Sequence, residues 1–244
     1  MPSFWERFIR SGFGTRAIFR RIRALSERVQ LKRDLRARND AEPLIRSKRE
    51  LGLLMRDHPY IDDAEIALLS RLARESGCIV EIGSAFGASA AVFLANCAPM
   101  SEVHSIDPFV QDSMSSFQAT EKKCRDNVAL VLVACGKSDM LKRWHLHTDY
   151  SYNVVDSWNL SIDLLFIDGD HRYESVRKDF EDWLPFVKRG GYILFHDSRR
   201  KPGAPDTVFR RGWPGPTRLA DELRHDPSVL LASEAFSITA WKKN

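Results

Sequence analysis

The stretch IDLLFIDGDHRYESVRKDFEDWLPFVKRGGYILFHD, residues 162–197, contains a strand, a helix and a second strand in succession. IDLLFID and GYILFHD are short apolar runs bounded by glycine, and YESVRKDFEDWLPFV between them has helical spacing. Strands joined through a helix usually lie parallel in one sheet. The stretch therefore predicts an α/β fold in which two buried strands end in titratable side chains.

The same alternation continues on both sides of this stretch. Residues 78–83, 102–107 and 129–135 (CIVEIG, EVHSID and ALVLVAC) have the composition of strands, and helical segments separate them. The last two apolar runs, VLLAS and FSITAWKK, are too close together for a helical crossover, so they predict a hairpin. We therefore expect a Rossmann-like, doubly wound, mostly parallel seven-stranded sheet with an antiparallel edge hairpin.

The composition limits the class of protein. The 244 residues are 43% hydrophobic and 29% charged, which suits one folded α/β domain with an appendage. No apolar run approaches the length of a membrane span, and the N-terminus lacks the apolar core of a signal peptide, so a cytoplasmic location is expected. The four cysteines are dispersed, as core thiols in a reducing compartment would be.

The positive charge is concentrated at the N-terminus. Residues 1–50 contain 14 Lys and Arg against 6 Asp and Glu, whereas the remainder of the chain is net negative. We therefore divide the chain into a basic helical extension, residues 1–60, and a main domain, residues 61–244. The extension could pack on the domain or on a second subunit, lie on the inner membrane face, contact nucleic acid or be disordered.

The first strand leads into VEIGSAFGASA, which contains Gly83 and Gly87. Glycines at this point let the backbone approach a ligand, and the start of the next helix offers free N–H groups. A tight strand-to-helix turn is the alternative reading. Ala85 occupies the place of the second glycine in the GxGxxG motif of dinucleotide sites, so a nicotinamide cofactor is disfavoured.

The next two strand ends also contain polar side chains. Asp107, in HSIDP, stands where an acid can accept both ribose hydroxyls of a nucleoside, although it could instead cap a turn. Gly136 permits a bend after the third predicted strand. Ser138 could then contact an adenine edge or cap the following helix.

The fourth and fifth strands end in acids and histidines. Asp168 and Asp197 would meet at the same edge, where a divalent cation, a shared proton or a nearby arginine could offset their repulsion. His171 could act as a general base near neutral pH, or it could be an ordinary loop residue. Asp170 could join the site or cap the following helix.

In this order and spacing, the motifs resemble those of class I S-adenosylmethionine-dependent methyltransferases. More narrowly, they are similar to the small-molecule O-methyltransferases that include macrocin-type sugar enzymes and catechol-type enzymes. The resemblance covers roughly residues 75–242. It implies that S-adenosylmethionine is the cofactor, with a divalent metal such as Mg²⁺ or Mn²⁺ beside it.

The resemblance implies a role for each matching residue. The expected cofactor-binding residues are Glu81, Gly83, Ser84, Gly87, Ser89, Asp107, Pro108, Gly136, Ser138 and Asp168. The expected metal ligands are Asp168, His196 and Asp197, and the expected catalytic residues are Asp168 and His171. His196 departs from the family pattern, which has an acid or amide at that position, and histidine favours softer ions than Mg²⁺.

The expected reaction is methylation of a hydroxyl on a small molecule, with a sugar or glycosylated metabolite as the expected acceptor. The long Gly, Pro and Arg-rich loop of residues 199–216 follows Asp197 and is either a candidate lid or a solvated surface loop. Its arginines and Trp213 suit a sugar or an anionic, phosphorylated acceptor. A homo-oligomer is compatible with the sequence, and nucleic acid is not expected as a partner. The alternatives are a nicotinamide-dependent oxidoreductase and a non-catalytic module that binds a nucleoside cofactor or a partner.

Overall fold

A computed structural model describes residues 13–38, 42–110, 118–199 and 212–244, and it describes the side chains from residue 20 onward. The described strands are β1 (Cys78–Ile82), β2 (Glu102–Ile106), β3 (Trp144–His147), β4 (Ile162–Ile167), β5 (Val187–Phe195), β6 (Val229–Ala235) and β7 (Ile238–Lys243). The described α-helices are α1 (Phe13–Ala37), α2 (Lys48–Leu54), α3 (Asp63–Arg74), α4 (Ala88–Asn96), α5 (Glu121–Cys135), α6 (Ser151–Val154), α7 (Tyr173–Trp183) and α8 (Pro214–Leu223).

The seven strands form one sheet in the order β3-β2-β1-β4-β5-β7-β6. β1 to β5 are parallel, and β7 runs antiparallel to both β5 and β6. The predicted seven-stranded, mostly parallel sheet with an antiparallel edge hairpin is therefore confirmed. The strand order reverses between β1 and β4, and ligands of such sheets bind at the carboxyl ends of the strands beside this reversal.

One of the strands predicted from sequence is wrong. The run ALVLVAC, residues 129–135, forms the second half of α5 rather than a strand. The third strand is instead WHLH, residues 144–147, which pairs with β2. Gly136 ends α5 in a left-handed conformation, and Ser138 begins a 3₁₀ helix before β3. These two residues therefore precede the third strand instead of following it.

Apolar side chains fill both faces of the sheet. One face packs under α3, α4 and α5, and the other packs under α7 and α8. Leu35, Leu44 and Leu51, from the N-terminal segment, are buried in the same cluster as α3 and α4. The N-terminal segment thus shares its core with the sheet, while the domain boundary at residue 60 stays a prediction.

Helix α3 begins with a reciprocal cap. The Asp62 carboxylate accepts from the Ala64 N–H, and the Glu65 carboxylate accepts from the Asp62 N–H. The cap fixes Glu65 in the first turn, pointing into the protein, where only 1% of its surface is exposed. This placement brings the buried carboxylate of Glu65 toward the carboxyl edge of the sheet.

The thiols agree with the sequence reading. Cys78, Cys97, Cys124 and Cys135 are free, and the last three are buried. Within the described residues, no helix has both the length and the apolar character needed to cross a bilayer.

Candidate active site

The turn after β1 lies directly against the turn after β4. Gly83 has a φ of +91°, and a Cβ there would lie 2.1 Å from the carbonyl oxygen of Asp168. The Asp168 N–H in turn donates to the Ile82 carbonyl at 2.8 Å. Only glycine fits this backbone, because any side chain would collide with the neighbouring turn. The requirement for glycine at this position thus comes from the packing of the two turns, and approach of the backbone to a ligand stays a prediction.

Gly87 begins α4 with a φ of +81°. A Cβ at Gly87 would lie 2.7 Å from Cγ2 of Val128 in α5. The residue therefore allows α4 and α5 to pack closely, and it leaves the first N–H groups of α4 beside the turn.

The Asp107 carboxylate holds the glycine turn in place. One oxygen accepts from the backbone N–H groups of Ser84 and Ala85 at 2.9 and 2.7 Å, and the other accepts from Phe109 N–H at 2.7 Å. Asp107 therefore lies at the predicted strand end, beside the predicted glycine turn. Pro108 follows it and is half-buried.

Glu81 lies beneath the same turn and is fully buried. Its carboxylate accepts hydrogen bonds from the hydroxyls of Ser84 at 2.7 Å, Ser105 at 2.6 Å and Ser89. Burial raises the pKa of Glu81 to about 7, although these hydrogen bonds act in the opposite direction and the charge of Asp168 adds to the rise. Glu81, Ser84 and Ser89 therefore form one polar network at the predicted cofactor position.

A second set of side chains gathers where β4 and β5 end. Nε2 of His171 lies 3.4 Å from Oδ1 of Asp168, and Nδ1 of His196 lies 3.0 Å from the same oxygen. Burial alone would raise the pKa of Asp168, but the two histidines lower it to about 2. Asp168 is therefore a carboxylate at neutral pH, about a quarter exposed and flanked by two imidazoles.

His196 lies between two carboxylates from different elements. Its Nδ1 faces Asp168, and its Nε2 lies 3.4 Å from Oε1 of Glu65. Burial alone would lower the pKa of His196, but Asp168 and Glu65 together raise it well above its ordinary value. The sequence reasoning missed Glu65, because the pattern that reveals it, Asp62 followed three residues later by Glu65, reports only the start of a helix.

The predicted metal ligands do not fit a divalent cation in this arrangement. Among the residues that the structure describes, no group of three or more His, Cys, Asp or Glu side chains is arranged to hold a metal ion. Asp197 Oδ2 is 3.7 Å from His196 Nδ1, and the raised pKa of His196 places protons on both ring nitrogens. A protonated imidazole has no lone pair for a metal, and its charge already offsets the repulsion of the nearby acids.

The arginines that follow Asp197 are Arg199 and Arg200. Arg199 lies 3.5 Å from Glu234, and Arg200 lies outside the described residues, as does most of the candidate lid. Asp170 accepts from Arg172 N–H at 3.1 Å and from the Ser175 hydroxyl at 2.8 Å, so its carboxylate is engaged in the turn before α7.

Gly136 and Ser138 are not brought to the carboxyl edge. α5 begins near the glycine turn, where Cys124 lies close to Gly87, and it ends 15 residues later at Gly136. A helix of that length spans about 22 Å, and the chain then returns through β3. The structure therefore removes the geometric basis for an adenine contact at either residue, because their placement depended on the wrong third strand. The described segment that follows β3 begins at Thr148.

The cleft above the glycine turn has a wall that the sequence reasoning did not identify. His58, Tyr60 and Ile61 line it together with the turn residues, Asp168 and His196. The ring of Tyr60 stacks on that of Phe86, with centroids 6.1 Å apart. On the opposite side, Trp213 lies beside His171 with ring centroids 5.0 Å apart, and its backbone N–H donates to the Asp197 carbonyl at 2.8 Å.

Comparison with known proteins places this site in a family. Residues 80–198 match the family described as a methyltransferase domain. Just under half of the chain therefore matches a methyltransferase domain. The resemblance that the motifs indicated is thus confirmed, and the matched range includes the glycine turn, Asp107, Asp168, His171 and His196.

The similar proteins extend over different parts of the chain. An uncharacterised protein of Acanthamoeba polyphaga mimivirus is 30% identical over 129 residues, which are 53% of this chain and 55% of that protein. The chain therefore matches about half the length of this relative. Among solved structures, the fold is similar to that of TomG, an O-methyltransferase of Streptomyces achromogenes involved in tomaymycin synthesis and solved with S-adenosylmethionine. The TM-score is 0.55 at 17% identity, and the match covers 91% of this chain and 89% of TomG.

An O-methyltransferase of Bacillus cereus, solved with S-adenosylhomocysteine, has a TM-score of 0.53 at 17% identity and covers 90% of both chains. At such identities, these likenesses establish the methyltransferase fold.

Proposed function

We propose that the methyltransferase domain transfers a methyl group from S-adenosylmethionine to a hydroxyl oxygen of a small molecule, with a sugar or glycosylated metabolite as the acceptor class. The observation that carries the proposal is the Asp168–His171 pair at the carboxyl edge of the sheet, beside the glycine turn. TomG and the Bacillus cereus enzyme, whose folds are similar, are both O-methyltransferases.

The described residues fit the cofactor. The Gly83 backbone leaves no room for a side chain, and the acids Glu81, Asp107 and Asp168 are placed at the ends of adjacent strands. When bound, S-adenosylmethionine supplies an electrophilic methyl group on a positively charged sulfur. The Asp168 carboxylate favours a cation near it, and Asp107 is the proposed acceptor of the ribose hydroxyls.

His171 is the proposed base. Asp168 faces Nε2 of His171 and holds the ring proton on that nitrogen, which leaves the Nδ1 lone pair free to accept the proton of the acceptor hydroxyl. The oxygen then bonds to the methyl carbon as the carbon–sulfur bond breaks, and the electron pair of that bond stays on sulfur. The chain's remaining task is to align the acceptor, because alignment of the reacting atoms lowers the barrier.

Trp213 supports a sugar as acceptor. Its ring lies beside His171, and 38% of its surface is exposed. An aromatic face next to the base offers the apolar C–H face of a sugar a packing surface. Metal assistance is the part of the expected mechanism that the site favours least, because His196 is engaged by two carboxylates.

Calorimetric titration with S-adenosylmethionine, S-adenosylhomocysteine and NAD tests the cofactor assignment. We expect micromolar binding of the two adenosyl ligands and none of NAD. The same titration with Mg²⁺, Mn²⁺ or a chelator tests metal assistance. Binding of NAD instead would support an oxidoreductase, and absence of adenosyl binding under every condition would refute the proposal.

The Asp168→Ala variant tests the chemistry. We expect it to abolish turnover of a sugar acceptor, because His171 loses the group that fixes its proton, while much of the cofactor affinity is retained. Asp170→Ala is the matched control, since the Asp170 carboxylate accepts hydrogen bonds from Arg172 and Ser175. Turnover by Asp168→Ala at the wild-type rate would overturn the assigned role. Cofactor binding without any turnover in the wild-type chain would favour a non-catalytic binding module.

A further inference from the structure

Helix α1 has two apolar stripes on different sides. Leu31 and Leu35 are 8% and 1% exposed and belong to the main core. Ile22, Leu25 and Val29 are instead 57%, 62% and 51% exposed. At about 100° per residue, these three fall within about 60° of one another, and the buried leucines lie more than about 110° from their centre. The helix therefore packs by one stripe and presents the other to solvent.

The charges of α1 are distributed unevenly around this exposed stripe. The helix contains eight Lys and Arg residues and two acids. Arg21, Lys32, Arg33 and Arg36 lie within about 75° of the stripe centre by the same wheel geometry. Three of these four side chains are exposed and that of Lys32 is half-buried.

Both acids of α1 lie on the far side of the helix, more than about 145° from the stripe centre. Each has a partner there. Glu27 pairs with Arg23 at 3.0 Å and with Arg49 at 3.1 Å, and Asp34 accepts from the Gln30 amide at 2.8 Å. The exposed face thus carries an apolar stripe, and every charged side chain near that stripe is basic.

We propose that this face of α1 is a docking surface for an anionic lipid bilayer. An apolar stripe bordered by Lys and Arg matches a membrane surface, where the apolar side chains enter the headgroup boundary and the cations meet lipid phosphates. A second copy of the chain is a poorer match, because pairing two such faces would bring eight cations together without an acid between them. The proposal is independent of the methyl-transfer reaction.

Sedimentation of the full chain with vesicles tests the surface. The vesicles are phosphatidylcholine alone or phosphatidylcholine with ~30% phosphatidylglycerol, which gives a strongly anionic surface. We expect binding at least about tenfold tighter to the anionic vesicles, weakening as salt rises. Equal binding to both kinds of vesicle, or to neither, would overturn the proposal.

Two triple variants and one control variant separate the apolar contribution to vesicle binding from the contribution of charge. Ile22→Gln, Leu25→Gln and Val29→Gln together should reduce anionic-vesicle binding by more than about tenfold, because the apolar contacts are lost. Arg21→Gln, Arg33→Gln and Arg36→Gln should reduce it by about a hundredfold, at about fivefold per cation. Lys122→Gln, Lys142→Gln and Lys178→Gln change the net charge equally but lie elsewhere and are exposed, so binding should stay within about threefold of wild type.

Circular dichroism checks that every variant is folded. An equal loss of vesicle binding in the control variant would show that binding depends on net charge alone. It would refute the docking surface on α1. A wild-type dimer that becomes monomeric in the apolar variant would assign the face to a second copy. Binding of a single-stranded RNA that survives loss of the apolar stripe, without binding to vesicles, would assign it to nucleic acid.

Discussion

At the scale of single residues, the sequence located the acids at the strand ends but not their protonation. Asp107 and Asp168 could be placed because each closes an apolar run, which is a local signal, whereas Glu81 followed from the family resemblance. The contact of Glu65 with His196 joins positions far apart in the chain, and it depends on how α3 packs. A metal was expected from the resemblance and from the repulsion of two acids, because the sequence could not show that His196 faces two carboxylates.

Glu81 gives this scale a prediction about pH. The folded chain retains its proton up to about pH 7, whereas the unfolded chain releases it near its ordinary pKa of 4.5. Between these values the folded state binds the extra proton, so stability must fall as the pH rises. A glutamine at this position cannot ionise. We therefore expect the free energy of unfolding of the Glu81→Gln variant to fall by about 3 kcal/mol less than that of wild type as the pH rises.

Urea unfolding of wild type and Glu81→Gln at pH 5 and pH 8 measures this difference. Glu75→Gln, at an exposed position just after α3, is the control and should keep the wild-type pH dependence. Parallel pH profiles for wild type and Glu81→Gln would show that the buried carboxyl is not held protonated.

At the scale of elements, the error at α5 has a physical cause. ALVLVAC is rich in valine and leucine, which favours a strand by composition. The buried positions of α5, however, include Val128, Val131, Leu132 and Cys135, which follow a helical period, and Val133 is 51% exposed. The true third strand, WHLH, has two histidines in four residues and carries no apolar run to identify it. The consequence was a misplaced ligand contact at Gly136 and Ser138.

A pair of glycine substitutions tests the corrected placement. Gly136 has a φ of +71°, and no described atom lies within 4 Å of the place that a Cβ would occupy. Gly136→Ala should therefore cost about 1 kcal/mol of stability through the backbone alone, and it should leave the affinity for S-adenosylmethionine unchanged. Gly87 has a similar positive φ, and an added Cβ there would also clash with Val128. Gly87→Ala should therefore lower the free energy of unfolding by about 2–4 kcal/mol and weaken cofactor binding. Thermal unfolding and calorimetry measure both. Loss of cofactor affinity in Gly136→Ala would return that residue to the site.

Strands β2 and β3 contain a histidine cluster at the edge of the sheet. Nδ1 of His104 lies 3.2 Å from Nε2 of His147, and the rings of His104 and His145 stack with centroids 4.5 Å apart. Burial, together with the charges of His145 and His147, lowers the pKa of His104 to about 4. The fold therefore holds His104 neutral where the unfolded chain would bind a proton.

Acid should consequently weaken this edge. From pH 6.5 down to about pH 4, the unfolded chain gains a proton at His104 that the folded chain does not, so stability falls as the pH falls. We expect His104→Gln to remove up to about 3 kcal/mol of this acid destabilisation. Urea unfolding at pH 7 and pH 4.5 measures it, with the exposed His225→Gln as the control. An unchanged acid dependence in His104→Gln would contradict the neutral, buried state.

At the scale of the whole molecule, the described part of the basic extension packs against the sheet. The sequence separated them at residue 60 because charge and composition change there, but composition does not report which face of a helix is covered. Leu31 and Leu35 of α1 lie in the same cluster as Leu51 and Ile66. The end of α1 that carries these two leucines thereby packs against the methyltransferase domain.

This arrangement predicts a large loss of stability for one leucine substitution in α1 and almost none for another. Leu35 is 1% exposed, so Leu35→Ala should leave a cavity and lower the free energy of unfolding by about 2–4 kcal/mol. Leu25 is 62% exposed, so Leu25→Ala should change it by less than about 0.5 kcal/mol. Urea unfolding followed by far-ultraviolet circular dichroism and by tryptophan fluorescence measures both. If α1 shares the core, the two probes should report one transition that Leu35→Ala shifts as a whole. A separate early transition confined to helix loss would show instead that α1 unfolds independently of the sheet.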